Sequence, residues 1–180
     1  GANNTAVGKD SLIANTTGVE NTALGMSSLS SNTTASNNSA VGYASLLSNT
    51  TGTYNSAFGR SSLQTNVTGN RNTGIGYYSL TTNTASDNTA IGYQALTANT
   101  TGTNNTSVGT NSLKANTTGA NNTAVGNNAL DANLTANSNV AIGCGALCAN
   151  TTGPNNTAIG TVALSKNTTA AGNTALGFVS

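Results

Sequence analysis

Histidine and tryptophan are missing from this chain of 180 residues, proline occurs once, and charge is confined to five basic and four acidic side chains. Without histidine there is no Ser–His pair for nucleophilic catalysis and no imidazole to hold a metal. The acidic residues (Asp10, Glu20, Asp87, Asp131) stand far apart in the sequence, so neither a paired-carboxylate site nor a calcium cage is expected. The basic residues (Lys9, Arg60, Arg71, Lys114, Lys166) are equally scattered. Phosphate neutralisation needs them clustered, so nucleic acid is not an expected partner. No apolar run approaches the length of a membrane span, and the glycines form no phosphate-cradling loop. These absences together predict neither an enzyme nor a cofactor. Bulky apolar residues are scarce too. Leu, Ile, Val and Phe supply about a sixth of the chain, a share that goes with disorder only when net charge is large. Here the formal net charge is +1, so a thin, periodic core of small side chains is the expected solution.

What is present is a period. Gly8, Gly25, Gly42, Gly59, Gly76, Gly92, Gly109, Gly126, Gly143, Gly160 and Gly177 close the phrase "AVG" and its variants, and we use them as anchors. Every step is 17 residues except that from Gly76 to Gly92, which is 16 and loses its residue within "NTASDNTAIG". Four residues after the anchor stands leucine in every complete repeat, from Leu12 and Leu29 to Leu147 and Leu164. Just before the anchor stands a larger apolar residue, from Val7 and Leu24 to Phe58, Ile142 and Leu176. Two before it is Ala, or the small Gly74 and Ser107; three before it is Thr or Ser, except Val140. "NTAVG" therefore alternates with period two, the signature of a strand. Thr5 and Val7 point one way, Asn4 and Ala6 the other. A second short strand is expected at "ANTT", whose middle Thr gives way to Val67 and Leu134, marking that column as inward as well.

A 17-residue unit cannot bury a core alone, so successive units must stack. Helical solenoids need longer units and stronger helix formers than Thr and Asn. The sequence predicts an all-β chain: one parallel β-solenoid, or β-roll, of about ten coils over residues 1–180, a rod about 50 Å long. Gly1 enters and Ser180 leaves partway through a repeat, with no polar terminal unit over the strand edges. The array reads as uncapped at both ends and as an excerpt of a longer chain. The small-only Ala column, taken as pointing away from the Thr and Val column, calls for another backbone close by. That backbone belongs either to a partner chain or to the far wall of the same coil. The expectation is self-association, as a homotrimer or an end-to-end filament.

Asparagine occupies two further columns. Four residues before each anchor it never changes, from Asn4 and Asn21 to Asn173, although most of these copies read "NTA" or "NSA". A ladder of stacked amides explains that column. Seven residues after the anchor, Asn15, Asn32, Asn49, Asn66, Asn99, Asn116, Asn133, Asn150 and Asn167 all begin Asn-x-Thr sequons, and only Asn83 fails. Here two readings stand side by side: N-glycosylation, or a hydrogen bond between Asn and the Thr two residues on. Cys144 and Cys148 share one repeat, in columns that vary elsewhere; a disulfide between them requires the intervening residues to turn. Tyr43, Tyr77 and Tyr93 follow their anchors directly and are read as outward.

"SNVAIG" (Ser138 to Gly143), with "NTAVG" and "NTAIG" elsewhere, resembles the head repeats of YadA-like trimeric autotransporter adhesins. "GYQALTANTTG" (Gly92 to Gly102) is similar to longer repeats of bacterial surface and phage tail-fibre proteins. The resemblance spans essentially the whole chain, although YadA-like coils are shorter and the "NTTG" portion is extra. It implies a trimeric left-handed β-roll at a cell surface or on a virion fibre, meeting a host surface or glycans. The expected function is thus the structural shaft of an extracellular fibre or adhesin. Two other readings are an ice-binding solenoid, from its repeating outward threonines, and a carbohydrate-binding module, from the three tyrosines. Against ice binding, the outward face is expected to alternate Asn with Thr and to offer no flat double rank of Thr.

Overall fold

A computed structural model describes all 180 residues. Eleven strands of three residues each, from β1 (Thr5–Val7) to β11 (Thr174–Leu176), form one parallel sheet in strict chain order. Equivalent residues pair directly, so Thr5 lies beside Thr22 and Val7 beside Leu24. The short repeat keeps this register: β5 (Thr73–Ile75) pairs with β6 (Thr89–Ile91), Thr73 beside Thr89 and Ile75 beside Ile91. Each repeat is one coil of a β-solenoid, as the period predicts.

The coil is held along its whole perimeter. Only 20 of 112 backbone hydrogen bonds lie within strands, so axial bonding continues through the turns and the opposite wall. On that wall the Leu29 N–H donates to the Ser45 carbonyl and the Ser31 N–H to the Leu47 carbonyl, both at 3.1 Å. At "ANTT" the Thr50 N–H donates to the Val67 carbonyl at 3.0 Å, but no second strand forms there; the segment bends instead. The expected second strand is therefore a corner. The anchor glycines make the other corner. Gly25 has φ 131°, and a Cβ on it would lie 2.6 Å from the carbonyl oxygen of Gly42. Handedness of the backbone and the spacing between coils both demand glycine there.

The interior is thin. Leu29, Leu46, Leu63, Leu80, Leu96, Leu113, Leu130 and Leu147 are fully buried, as are the alanines two before the anchor, such as Ala23, Ala57 and Ala124. Leucine from one wall meets alanine from the strand, with a buried Ser or Ala beside each leucine. This reverses the expected orientation of the strand. Asn and Ala point in; Thr and the larger apolar residue point out, leaving Val7 54%, Ile75 39% and Ile91 38% exposed. Val67 and Leu134 are exposed as well, so their column also faces outward. The physical reason is the coil's thickness: the Leu column fills the gap, and the facing position has room for a methyl group only. Gly74 shows how little room remains: a Cβ there would lie 2.5 Å from the hydroxyl oxygen of Ser62, which donates to the Gly74 carbonyl at 2.8 Å from across the coil. The far wall of the same coil thus accounts for the small-only column, without a partner chain.

Candidate functional site

Both asparagine columns lie inside the coil. In the earlier column Oδ1 accepts the backbone N–H of the next coil's asparagine, Asn38 to Asn21 at 3.0 Å and Asn55 to Asn38 at 2.9 Å. In the later column Nδ2 donates to Oδ1 of the preceding coil, Asn99 to Asn83 at 2.7 Å and Asn116 to Asn99 at 2.9 Å. The two columns meet at a shared carbonyl: Asn38 and Asn49 both donate to the Gly52 oxygen, at 2.8 and 2.9 Å. Satisfied amides of this kind are what permits so many polar groups in a core.

This geometry corrects the glycosylation reading. Asn32, Asn49, Asn66, Asn99, Asn116, Asn133 and Asn150 are fully buried, and Asn15 and Asn167, in the first and last coils, are half-buried. The Nδ2 that a glycan would occupy is already donating in every one, including Asn15 to the Gly18 carbonyl and Asn167 to the Ala170 carbonyl. Asn83, which lacks the sequon, continues the ladder unbroken by donating to Asn66 and Ala85. Nor do these asparagines bond the Thr two residues on, because Thr34, Thr51, Thr101 and Thr118 are exposed on the corner. Cys144 and Cys148 are free thiols: Cys144 is exposed, and Cys148 points along the stack to the Ser165 carbonyl at 3.7 Å. No disulfide joins them.

Function must therefore be sought on the outside. The strand face carries two parallel columns along the rod, one of Thr and Ser hydroxyls interrupted only at Val140 and one of apolar side chains, all aliphatic except Phe58. Past the glycine corner, Tyr43, Arg60, Tyr77 and Tyr93 follow one another on successive coils. The Arg60 guanidinium lies 5.3 Å from the Tyr43 ring centre and 5.8 Å from that of Tyr77. Tyr77 and Tyr93 stack with ring centres 5.4 Å apart and planes 5° from parallel, and Tyr78 meets Tyr77 edge-on at 4.2 Å. The three tyrosines read from the sequence are thus one ladder. Arg60, first read only as a scattered cation, is its missing member; its place in the same column was the available signal.

On the other flank Arg71 grips Asp87 with two hydrogen bonds, at 2.6 and 2.9 Å. That contact holds the Asp87 carboxyl below the usual carboxylate range and raises Arg71. Both groups are solvated, so the pair adds little to stability. The stability it does add is present above the ordinary carboxylate pKa and fades as pH falls through the lowered value. A concavity lies at the end of the stack, against Leu164 and Val179. No helix of the chain is long and apolar enough to cross a membrane. Comparison with family models, with curated proteins and with solved structures yields no match for this chain.

Proposed function

We propose that the chain is a rigid shaft segment of an extracellular or cell-surface fibre or adhesin, working as a bundle of copies packed through the strand face. The observation that carries this reading is the unbroken apolar column, one residue per coil from Val7 to Leu176, all on one face. Scattered exposed apolar residues need no explanation, but a continuous apolar strip marks an interaction surface. The three-residue strand face is about 10 Å broad along a rod about 50 Å long, so it offers about 500 Å², somewhat under the about 800 Å² that each partner gives to a standard interface. The YadA-like resemblance of the repeats favours a trimer over other bundles and supports the surface location. The shaft's work is mechanical. Hydrogen bonds along the axis and the leucine column keep it straight, so that it spaces or displays whatever it carries.

The test is mass in solution. The parent is expected near three times its 17.6 kDa chain mass. Lysines at Phe58, Ile91 and Val125 should return it to a monomer while the circular dichroism spectrum stays unchanged. A parent that runs as a stable monomer overturns the reading.

One observation favours ice binding as a second reading. The asparagines expected on the outside are buried, so hydroxyl columns stand clear of amides on the strand face, broken at Val140, and, from Thr17 to Thr169 with a break at Ala85, on the corner. None of the latter threonine hydroxyls is bonded within the protein, and their spacing is fixed by the coil. Thermal hysteresis of the purified chain decides it; freezing without hysteresis removes this reading.

A further inference from the structure

The tyrosine–arginine ladder ends one rung early. Tyr77 is covered on both faces, by Arg60 from the coil before and by Tyr93 from the coil after. Tyr93 has only Tyr77 against it. The same column continues with Thr110 and Asn127, both exposed, and neither is long enough to cover a phenol ring. Tyr93 is accordingly 49% exposed. The result is a step one coil deep, with an aromatic face as its wall and neutral polar side chains as its floor.

We propose that this step is a subsite for a neutral carbohydrate, one sugar ring taking the place of the missing rung against Tyr93. A pyranose presents an apolar C–H face of about the breadth of a phenol ring, ringed by hydroxyls. Tyr93 supplies the flat apolar surface, and a few placed polar groups supply orientation, the combination that small-molecule sites share. The Thr110 hydroxyl has no partner within the chain. Asn127 uses its amide oxygen to accept from Asn128 at 2.9 Å, which leaves its NH₂ free to donate to a sugar oxygen. From Thr110 to Thr161 the column carries no charge, which suits an uncharged ligand and gives an oligosaccharide a path along the rod. Tyr77 offers no such site, because Arg60 and Tyr93 cover its two faces; Tyr43 has Arg60 on one face and, one coil back in the same column, the long side chain of Met26 rather than a small polar residue. The subsite stands on the column past the glycine corner, outside the two strand-face columns assigned to the bundle interface, and it requires that column to stay open in the fibre.

Titration calorimetry with cello-, malto- and mannotetraose tests this, with solution mass measured on the same samples. At least one of the three should bind the parent. Tyr93→Phe should keep that affinity, because the ring face is retained. Tyr93→Ala should weaken it at least about tenfold. Thr110→Arg covers the Tyr93 ring with a residue the column already accepts at Arg60, adds no new aromatic face, and should weaken binding as much. Binding by none of the three sugars overturns the proposal, as does binding that survives Tyr93→Ala or Thr110→Arg. Tighter binding of free adenosine than of any sugar overturns the ligand class. A change of mass in Tyr93→Ala would place the ring in the bundle interface and overturn the subsite, whereas a monomeric parent that still binds sugar would overturn only the bundle.

Discussion

Leucine at the turn of each coil does two opposed things. Its side chain is the bulk of the core, yet its backbone sits in the left-handed region, at φ 51° for Leu96 and between 48° and 53° in every copy. A residue with a Cβ pays about 1–2 kcal/mol for that conformation, while burying a leucine side chain returns about 1.5–3 kcal/mol. Burial wins by a small margin, which explains why the column is leucine and never glycine. The sign of that margin is testable. Leu96→Ala should cost about 2–5 kcal/mol in a urea melt, since it empties a fully buried site. Leu96→Gly removes more side chain but also relieves the backbone, so it should cost no more than Leu96→Ala. At an ordinary interior position glycine would cost about 1 kcal/mol more than alanine. If the Leu96→Gly variant is the weaker one by that amount, the strain assigned to this position is wrong.

At the scale of the coil, stability rests on amides as much as on methyl groups. Asn99 donates to Asn83 and to the Gly102 carbonyl, and accepts from Asn116, with no exposed surface. Asn99→Ala should cost about 2–4 kcal/mol, because it leaves Asn83 Oδ1 only the long 3.4 Å bond from Asn88 and strands an Asn116 N–H inside the protein. Asn99→Asp keeps the shape but cannot donate and buries a charge, so it should be worse than alanine at pH 7 and recover as pH falls and the carboxyl protonates. Equal melting of the two variants at pH 7 would contradict the ladder. The sequence made much of this coil legible. The anchor glycines, the leucine core and the earlier asparagine ladder are all readable from columns that never change. What it hid was direction. Alternation in "NTAVG" separates two faces but does not say which is inner, and the usual rule that the bulkier face is buried fails in a coil this thin. Val67 and Leu134 misled for the same reason. The sequons misled because the Thr two residues after each Asn, such as Thr51 and Thr101, stands exposed on the corner, while Asn turns inward. Left-handed leucines were invisible, since leucine, unlike glycine or asparagine, does not advertise such a backbone.

For the molecule as a whole, nearly every interaction is between one coil and the next. Strand pairing, both amide ladders, the leucine column and the tyrosine stack all run between neighbours along the axis. Such an array is stabilised by a sum of unit and nearest-neighbour contributions, so its length is adjustable provided its register is kept. Removing residues 144–160 joins Gly143 to Thr161 and deletes one whole coil, bringing the strand that begins at Val140 directly beneath the one that begins at Thr174. Both partners then present the same columns that met before the cut. Removing half a coil instead would set leucine against the glycine corner and break both amide ladders. The 17-residue deletion should therefore remain folded, melt cooperatively and lose only a modest fraction of stability. It should also keep the solution mass expected for the bundle, because the aliphatic face is shortened by one member without a gap. It contains no cysteine, so retention of fold and assembly would show that neither thiol is needed for them. A nine-residue deletion within the same coil should give an unfolded or aggregated chain. Equal tolerance of both deletions, measured by hydrogen exchange and melting, would mean that the coils do not depend on register, and the shared-ladder account of this rod would fall with it.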